Sequence, residues 1–179
     1  MAFISISITK NHPLILGKGG FGRQLADWLS AEGWGEAEFL DDSAPGCVGG
    51  LRDYADPKLL KPGRPAFVAL GDNALRVELL QKLAAAGYST PVFISDAASV
   101  SPSAVLEPGC IILPQAYVGA DAHLGVGCIV NAGAIVDHNA HLGRGVHVAP
   151  GGIVKASAEV ADFGKVDSGE IVRSPWENQ

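Results

Sequence analysis

From residue 95 to residue 172 the hydrophobic positions recur every six residues without a break. The sixth position of each hexad runs Val100, Leu106, Ile112, Val118 and onward to Val172, and all thirteen are Ile, Leu or Val. Two places earlier most hexads carry a small residue, among them Ala104, Cys110, Ala116, Ala122 and Cys128. Repetition at a fixed period is the mark of a solenoid. Each hexad reads as a short strand and a corner, and three hexads close one triangular turn. The aliphatic and small residues point inward, and successive turns stack at the strand spacing of roughly 4.8 Å. Every residue then lies against its counterpart three hexads on. The pattern predicts a parallel β-helix over 95–172 with a little over four turns, followed by a short tail or cap at 173–179.

The first 94 residues follow other periods. Residues 1–10 alternate apolar and polar positions, which predicts a strand rather than a secretory signal. His12-Pro13-Leu14-Ile15-Leu16 is a second short apolar run, and Gly17-Lys18-Gly19-Gly20-Phe21-Gly22-Arg23 follows it. Leu25, Trp28 and Leu29 then stand at helical spacing. Strand, glycine turn and helix in that order satisfy G-x-G-x-x-G at Gly17, Gly19 and Gly22, where glycine lets the backbone approach a phosphate. Glu38-Phe39-Leu40 predicts the next strand, ending at Asp41 and Asp42, where an acid can bind a ribose hydroxyl. A third strand over 66–70 leads into Gly71-Asp72-Asn73. A helix over roughly 74–86 carries Arg76 and a stripe of Leu75, Leu79, Leu80 and Leu83, with Gly87 as its left-handed cap. Residues 91–94 predict a last strand, and 43–65 a surface loop. The expected fold is α/β followed by β: a small Rossmann-like parallel-sheet domain over 1–94, then the coil. Its glycines and acids sit at strand C-termini, where open α/β sheets bind ligands. A tight βα corner with no ligand is the alternative. The size suits one nucleotide half and not a full dinucleotide fold, which sets aside an NAD-linked oxidoreductase.

Composition narrows the function. A net charge of −6 argues against a nucleic-acid partner, whose backbone demands a basic surface. No apolar run reaches the length of a membrane span. Three cysteines without metal spacing point to a reduced, cytoplasmic compartment. Stacking also reinterprets two pairs. Cys110 and Cys128, one turn apart in the small inward column, read as buried thiols, with a disulfide or redox pair as the alternative. His123 and His141, also one turn apart, read as solvated or interface histidines, with zinc as the alternative. No metal is expected.

The segments Gly17–Arg23, Asp41-Asp42, Gly71-Asp72-Asn73 with Arg76, Asn131–His138 and Gly145–Gly151 resemble the bacterial sugar-nucleotide acetyltransferases of the PglD and NeuD type. The likeness spans nearly the whole chain. It implies a left-handed coil, a homotrimer, and acetyl-CoA as co-substrate lying between neighbouring coils. A nucleotide-linked amino sugar would bind through Gly17, Gly19, Gly20, Gly22, Asp41, Asp42, Gly71, Asn73 and Arg76. His138 matches the family's general base, a role that suits a side chain titrating near neutral pH. His147 matches a second family histidine near the substrate or acetyl group, and Asn131, His147 and Gly151 fall to the acyl donor. The family sets a carboxylate directly after the base; here Asn139 stands there, able to orient the ring but not to offset an imidazolium charge. Asp137 precedes His138 and, in a strand, would point to the other face. The family's coil also continues for several turns beyond the point where this repeat stops. Asn139 and the short coil favour, as alternatives, a non-catalytic sugar-nucleotide-binding scaffold or a donor other than acetyl-CoA. A carbonic-anhydrase-like metal protein is a further alternative, although the histidine spacings here do not match that pattern well.

Overall fold

In the computed structural model, residues 12–59, 61 and 63–178 are described; the strand expected over 1–10 lies outside them. The chain forms two compact units. One takes in the chain up to Ala69 together with Lys82–Pro91, and the other takes in Leu70–Gln81 together with the chain from Val92.

The first unit is a three-stranded parallel sheet of β1 (Leu14–Leu16), β2 (Glu38–Leu40) and β3 (Ala66–Val68), in the order β2-β1-β3. Leu14 pairs with Glu38 on one side and Ala66 on the other. A central parallel strand is covered on both faces and so reads as a continuous apolar run; Leu14, Ile15 and Leu16 are all fully buried. Helix α1 (Gly20–Ala31) connects β1 to β2 and buries Leu25 and Leu29, while Trp28 stays partly exposed. Trp34 meets Phe67 edge-on, with ring centroids 5.4 Å apart. Helix α2 (Asn73–Ala85) ends as its sequence indicates. Gly87 adopts φ +92°, its N–H bonds Ala84 O and the Tyr88 N–H bonds Leu83 O, which satisfies the last carbonyls. Leu79, Leu80 and Leu83 of the expected stripe are buried; Leu75 is only half-buried and Val77 takes a buried place beside them.

The coil carries thirteen two-residue strands between Ser99 and Val172, and every one ends on the sixth position of its hexad. Register follows the three-hexad rule throughout: Ile111 pairs with Ile129, Ile129 with His147, and His147 with Lys165. The sixth-position aliphatics and the small residues two before them fill one continuous core, including Cys110 and Cys128 as buried free thiols. Residues 93–94, expected as the last strand of the α/β sheet, pair instead with Ile111 and Ile112. The unpaired edge of the first complete turn accepts any strand placed three hexads ahead of it, and Phe93–Ile94 stands there.

One regularity is hidden in the sequence. From Gly109 to Gly169 every third position of a hexad has positive φ, whether glycine or not: Gln115, Asp121, Asn139, Ser157 and Phe163 share it. The triangular corner imposes a left-handed residue, and glycine fills it most often because it lacks the Cβ that makes this conformation costly. The corner glycines at 109, 127 and 145 have a second reason. A Cβ on Gly109 or Gly127 would lie 2.7 Å from Leu80, and one on Gly145 would lie 2.8 Å from the carbonyl of Asn73. The first half of α2 rests directly on this column.

Candidate active site

His138 occupies the second position of its hexad, at an exposed corner of the coil. Its backbone N–H donates to the Asp137 carboxylate at 2.7 Å, so Asp137 holds the main chain and not the ring. The ring nitrogen Nδ1 lies 3.0 Å from Asn139 Oδ1. An amide oxygen can only accept, so this contact favours the proton on Nδ1, and in the neutral imidazole Nε2 is then the acceptor. Asn139 adopts φ +57°, a conformation asparagine tolerates better than most side chains. The turn below supports this corner closely. A Cβ on Gly119 would stand 2.6 Å from the His138 nitrogen and 2.9 Å from the Asp137 carbonyl carbon. Gly119 belongs to no motif in the sequence; the signal that marks it is its place one full turn before Asp137.

His147 is half-buried. Burial, and then the positive charges of Arg76 and Lys165, push its imidazole down to about 4, with Asp167 opposing them. It is neutral at physiological pH. Its Nε2 lies 3.3 Å from Asn131 Nδ2, an amide nitrogen that can only donate, so Nε2 accepts there. Asn131 is itself buried, and its Oδ1 accepts the Ala132 N–H at 2.8 Å. Gly151 is an exposed left-handed corner with open space where a Cβ would be.

The glycine turn in the α/β unit is built tightly. Gly17 has φ +99°, and a Cβ on Gly22 would fall 1.9 Å from the Gly17 carbonyl oxygen, so the turn packs against its own helix. Gly19 is the N-cap of α1 and supplies no side-chain cap, and neither Gly19 nor Gly20 has an atom within 4 Å of a built Cβ. The N-terminal end of α1 at Gly19 and Gly20 is therefore open to approach, with the positive end of the helix dipole behind it. Asp41 ties the loop together. Backbone N–H groups of Lys18, Ser43 and Ala44 hold its carboxyl down at about 2. Asp42 is exposed and accepts the Leu51 N–H through one oxygen. Lys18 reaches the carbonyls of Pro45 and Gly46 at 2.7 and 3.0 Å and sits 5.3 Å from the centre of the Phe39 ring.

Two residues expected to bind substrate are placed otherwise. Arg76 is fully buried; it donates to the carbonyls of Gly127, Leu70 and Gly145 and to Asn73 Oδ1. Burial lowers its guanidinium to about 10. Asn73 Nδ2 donates to the carbonyls of Phe163 and Gly164 at 2.9 and 3.0 Å. Both side chains fasten α2 to the coil, because coil carbonyls meet this face of the helix. Gly71, beside them, is exposed. His123 and His141 stack with ring centroids 4.8 Å apart, and His123 Nε2 faces Glu107 at 3.3 Å. Among the described residues no group of three or more His, Cys, Asp or Glu is placed to hold a metal ion, and no helix is long and apolar enough to cross a membrane.

Comparison with known proteins gives a consistent picture. The family model of the PglD N-terminal domain matches residues 14–83. The acetyltransferase domain of PglB from Neisseria gonorrhoeae FA1090, solved in complex with acetyl coenzyme A, superposes with a TM-score of 0.84 at 32% identity, covering 93% of this chain and 83% of that one. A mutant GDP-perosamine N-acetyl transferase from Caulobacter crescentus, in complex with CoA and GDP-perosamine, gives 0.77 at 28% identity over 86% of this chain and 76% of that one. PerB from Caulobacter crescentus, in complex with the same two molecules, gives 0.68 at 27% identity over 90% and 91% of the two chains. An α/β sheet with a glycine turn, an unbroken hexapeptide coil and this degree of identity lead to one assignment: the chain belongs to the PglD-type sugar acetyltransferases, acyltransferases built on a parallel β-solenoid.

Proposed function

We propose that the protein transfers the acetyl group of acetyl-CoA to the amine of a nucleotide-linked amino sugar, with His138 as general base, in the cytoplasm and as a homotrimer. The observation that carries this reading is the His138–Asn139 pair at an exposed corner, which orients the neutral ring with Nε2 as its acceptor. The sugar amine attacks the thioester carbonyl carbon while its proton passes to His138 Nε2. The tetrahedral intermediate then collapses, the carbon–sulfur bond breaks, and the departing thiolate takes the proton to leave as free CoA. Positioned general bases contribute about 10²–10⁴-fold to such steps.

The glycine turn supports the acceptor side of the proposal. The open N-terminal end of α1 at Gly19 and Gly20 suits a diphosphate, and the exposed Asp42 suits a ribose hydroxyl. On the donor side, Asn131, His147 and Gly151 are assigned to acetyl-CoA, with neutral His147 as a hydrogen-bonding group. The relatives' complexes with acetyl-CoA, CoA and GDP-perosamine support the two ligand classes.

The test is release of free thiol from acetyl-CoA with a panel of UDP-, dTDP- and GDP-linked amino sugars, with light scattering for the assembly. Release with at least one sugar and a trimeric mass are expected. Tight nucleotide-sugar binding with no release by any member would instead make the protein a scaffold.

A further inference from the structure

The backbone around His147 is held from α2 by two side chains. Gly145, two residues earlier, accepts from Arg76 Nη2 at 2.6 Å. Gly164, one turn on, offers one carbonyl to two donors: the His147 N–H at 3.1 Å and Asn73 Nδ2 at 3.0 Å. The two α2 side chains are themselves joined, Arg76 Nη2 to Asn73 Oδ1 at 2.9 Å. Arg76 Nε reaches the previous turn as well, at the Gly127 carbonyl, two residues before the Ile129 that pairs with His147. Three successive turns are thereby pinned at the height of one histidine.

We infer that Asn73 and Arg76 are positioning residues for His147, fixing its strand in register with the turns on either side and setting the charge it feels. The inference rests on the acetyl-transfer reading only for what His147 does in the reaction. The four groups that accept from Arg76 are all neutral, three carbonyls and an amide, so its buried charge has no carboxylate among them to offset it. Asp72 is the carboxylate whose charge acts on it, and burial leaves that guanidinium less screened than a surface charge. The His147 ring touches the Asn131 amide from the turn before, and the charges of Arg76 from α2, Lys165 from the following turn and Asp167 beyond it act on it. Burial is the largest influence against the imidazolium, and Arg76 acts in the same direction; Lys165 is paired with Asp167 at 2.6 Å, and the two act on the ring with opposite signs. The ring stays neutral, with Nε2 as an acceptor.

The experiment is histidine NMR on the full chain without substrate, titrated from about pH 8 to about pH 5, together with exchange of the His147 amide. In the wild type the His147 ring stays neutral almost to the end of that range, consistent with a midpoint near 4. In Arg76→Gln the midpoint is expected to rise measurably, with burial, the larger cause, still holding it below the ordinary 6.5. Arg76→Lys keeps the charge and is expected to keep the low midpoint. Asn73→Ala removes the second donor to Gly164 and is expected to speed exchange of the His147 amide without raising the midpoint. A folded Arg76→Gln with a wild-type midpoint overturns the inference. If Arg76→Gln does not fold, unchanged exchange of the His147 amide in Asn73→Ala overturns it. Because neither readout needs turnover, a protein that fails to transfer acetyl groups leaves this result standing, and an active one does not rescue it.

Discussion

His138 Nδ1 and Asn139 Oδ1 lie 3.0 Å apart, and the asparagine that makes this contact is also the left-handed residue of its corner, at φ +57°. One side chain therefore serves the backbone and the ring at once. Asn139→Gly separates the two roles, since glycine keeps the corner and loses the acceptor. A single hydrogen bond is worth about 0.5–1.5 kcal/mol net, so kcat is expected to fall about two- to tenfold with thermal stability preserved. Asn139→Ala loses the same contact and adds about 1–2 kcal/mol of left-handed strain, and should also unfold at a lower temperature. A glycine variant with wild-type kcat would show that the ring needs no orienting partner.

Gly119 offers a way to move His138 without touching it. In Gly119→Ala the new methyl would sit 2.6 Å from the His138 nitrogen, and the Asp137–His138 backbone must shift outward. Displacements on the order of 1 Å cost about 10²-fold where reacting atoms must align. A large loss in kcat/KM is expected with the circular dichroism of the coil retained. Full activity would mean that the corner can relax without consequence for the base.

Corner glycines with the same backbone should respond unequally. Gly127 and Gly133 have φ of +70° and +66°, yet a Cβ on Gly127 meets Leu80 at 2.7 Å while one on Gly133 meets nothing within 4 Å. Gly133→Ala is expected to cost only the left-handed strain, about 1–2 kcal/mol. Gly127→Ala should add an overpacking cost of about 1–3 kcal/mol. Equal losses in denaturant unfolding would contradict the placement of α2 on that column.

Much of this coil is legible because its period is strict and the inward residue must be aliphatic, so thirteen strand ends can be read directly. Phe93–Ile94 falls to the wrong sheet when read locally, because so short an apolar run carries no label for its partner; only the ladder, one full turn on, decides it. The left-handed corners are obscured where Gln115, Asp121, Ser157 and Phe163 replace glycine. Arg76 and Asn73 look like substrate ligands from their place after a strand. Their actual partners in the coil lie 51 to 91 residues away, beyond anything local spacing can indicate. His138 and Asn139, adjacent in sequence and joined in space, need no such long-range information.

Asp41 gives the α/β unit a dependence on acid. Its carboxyl titrates at about 2 in the folded chain against an ordinary 3.8, because backbone N–H groups of Lys18, Ser43 and Ala44 favour the ionised form. The stability it contributes is complete above about pH 4 and is lost as pH falls toward 2. In Asp41→Asn the unfolding midpoint of this unit should be lower at pH 7 and should fall less steeply between pH 4 and pH 2. A parallel fall in both proteins would show that other carboxylates govern the acid transition.

The most direct test of the account is single-turnover transfer by the wild type and His138→Ala, with saturating acetyl-CoA and the best amino-sugar acceptor, followed by product mass. The wild type should yield acetylated sugar and free CoA in equal amounts. His138→Ala should keep its nucleotide-sugar affinity and its assembly while transfer slows by about 10²–10⁴-fold. Transfer at the wild-type rate by a folded His138→Ala would contradict the assignment of His138 as the base.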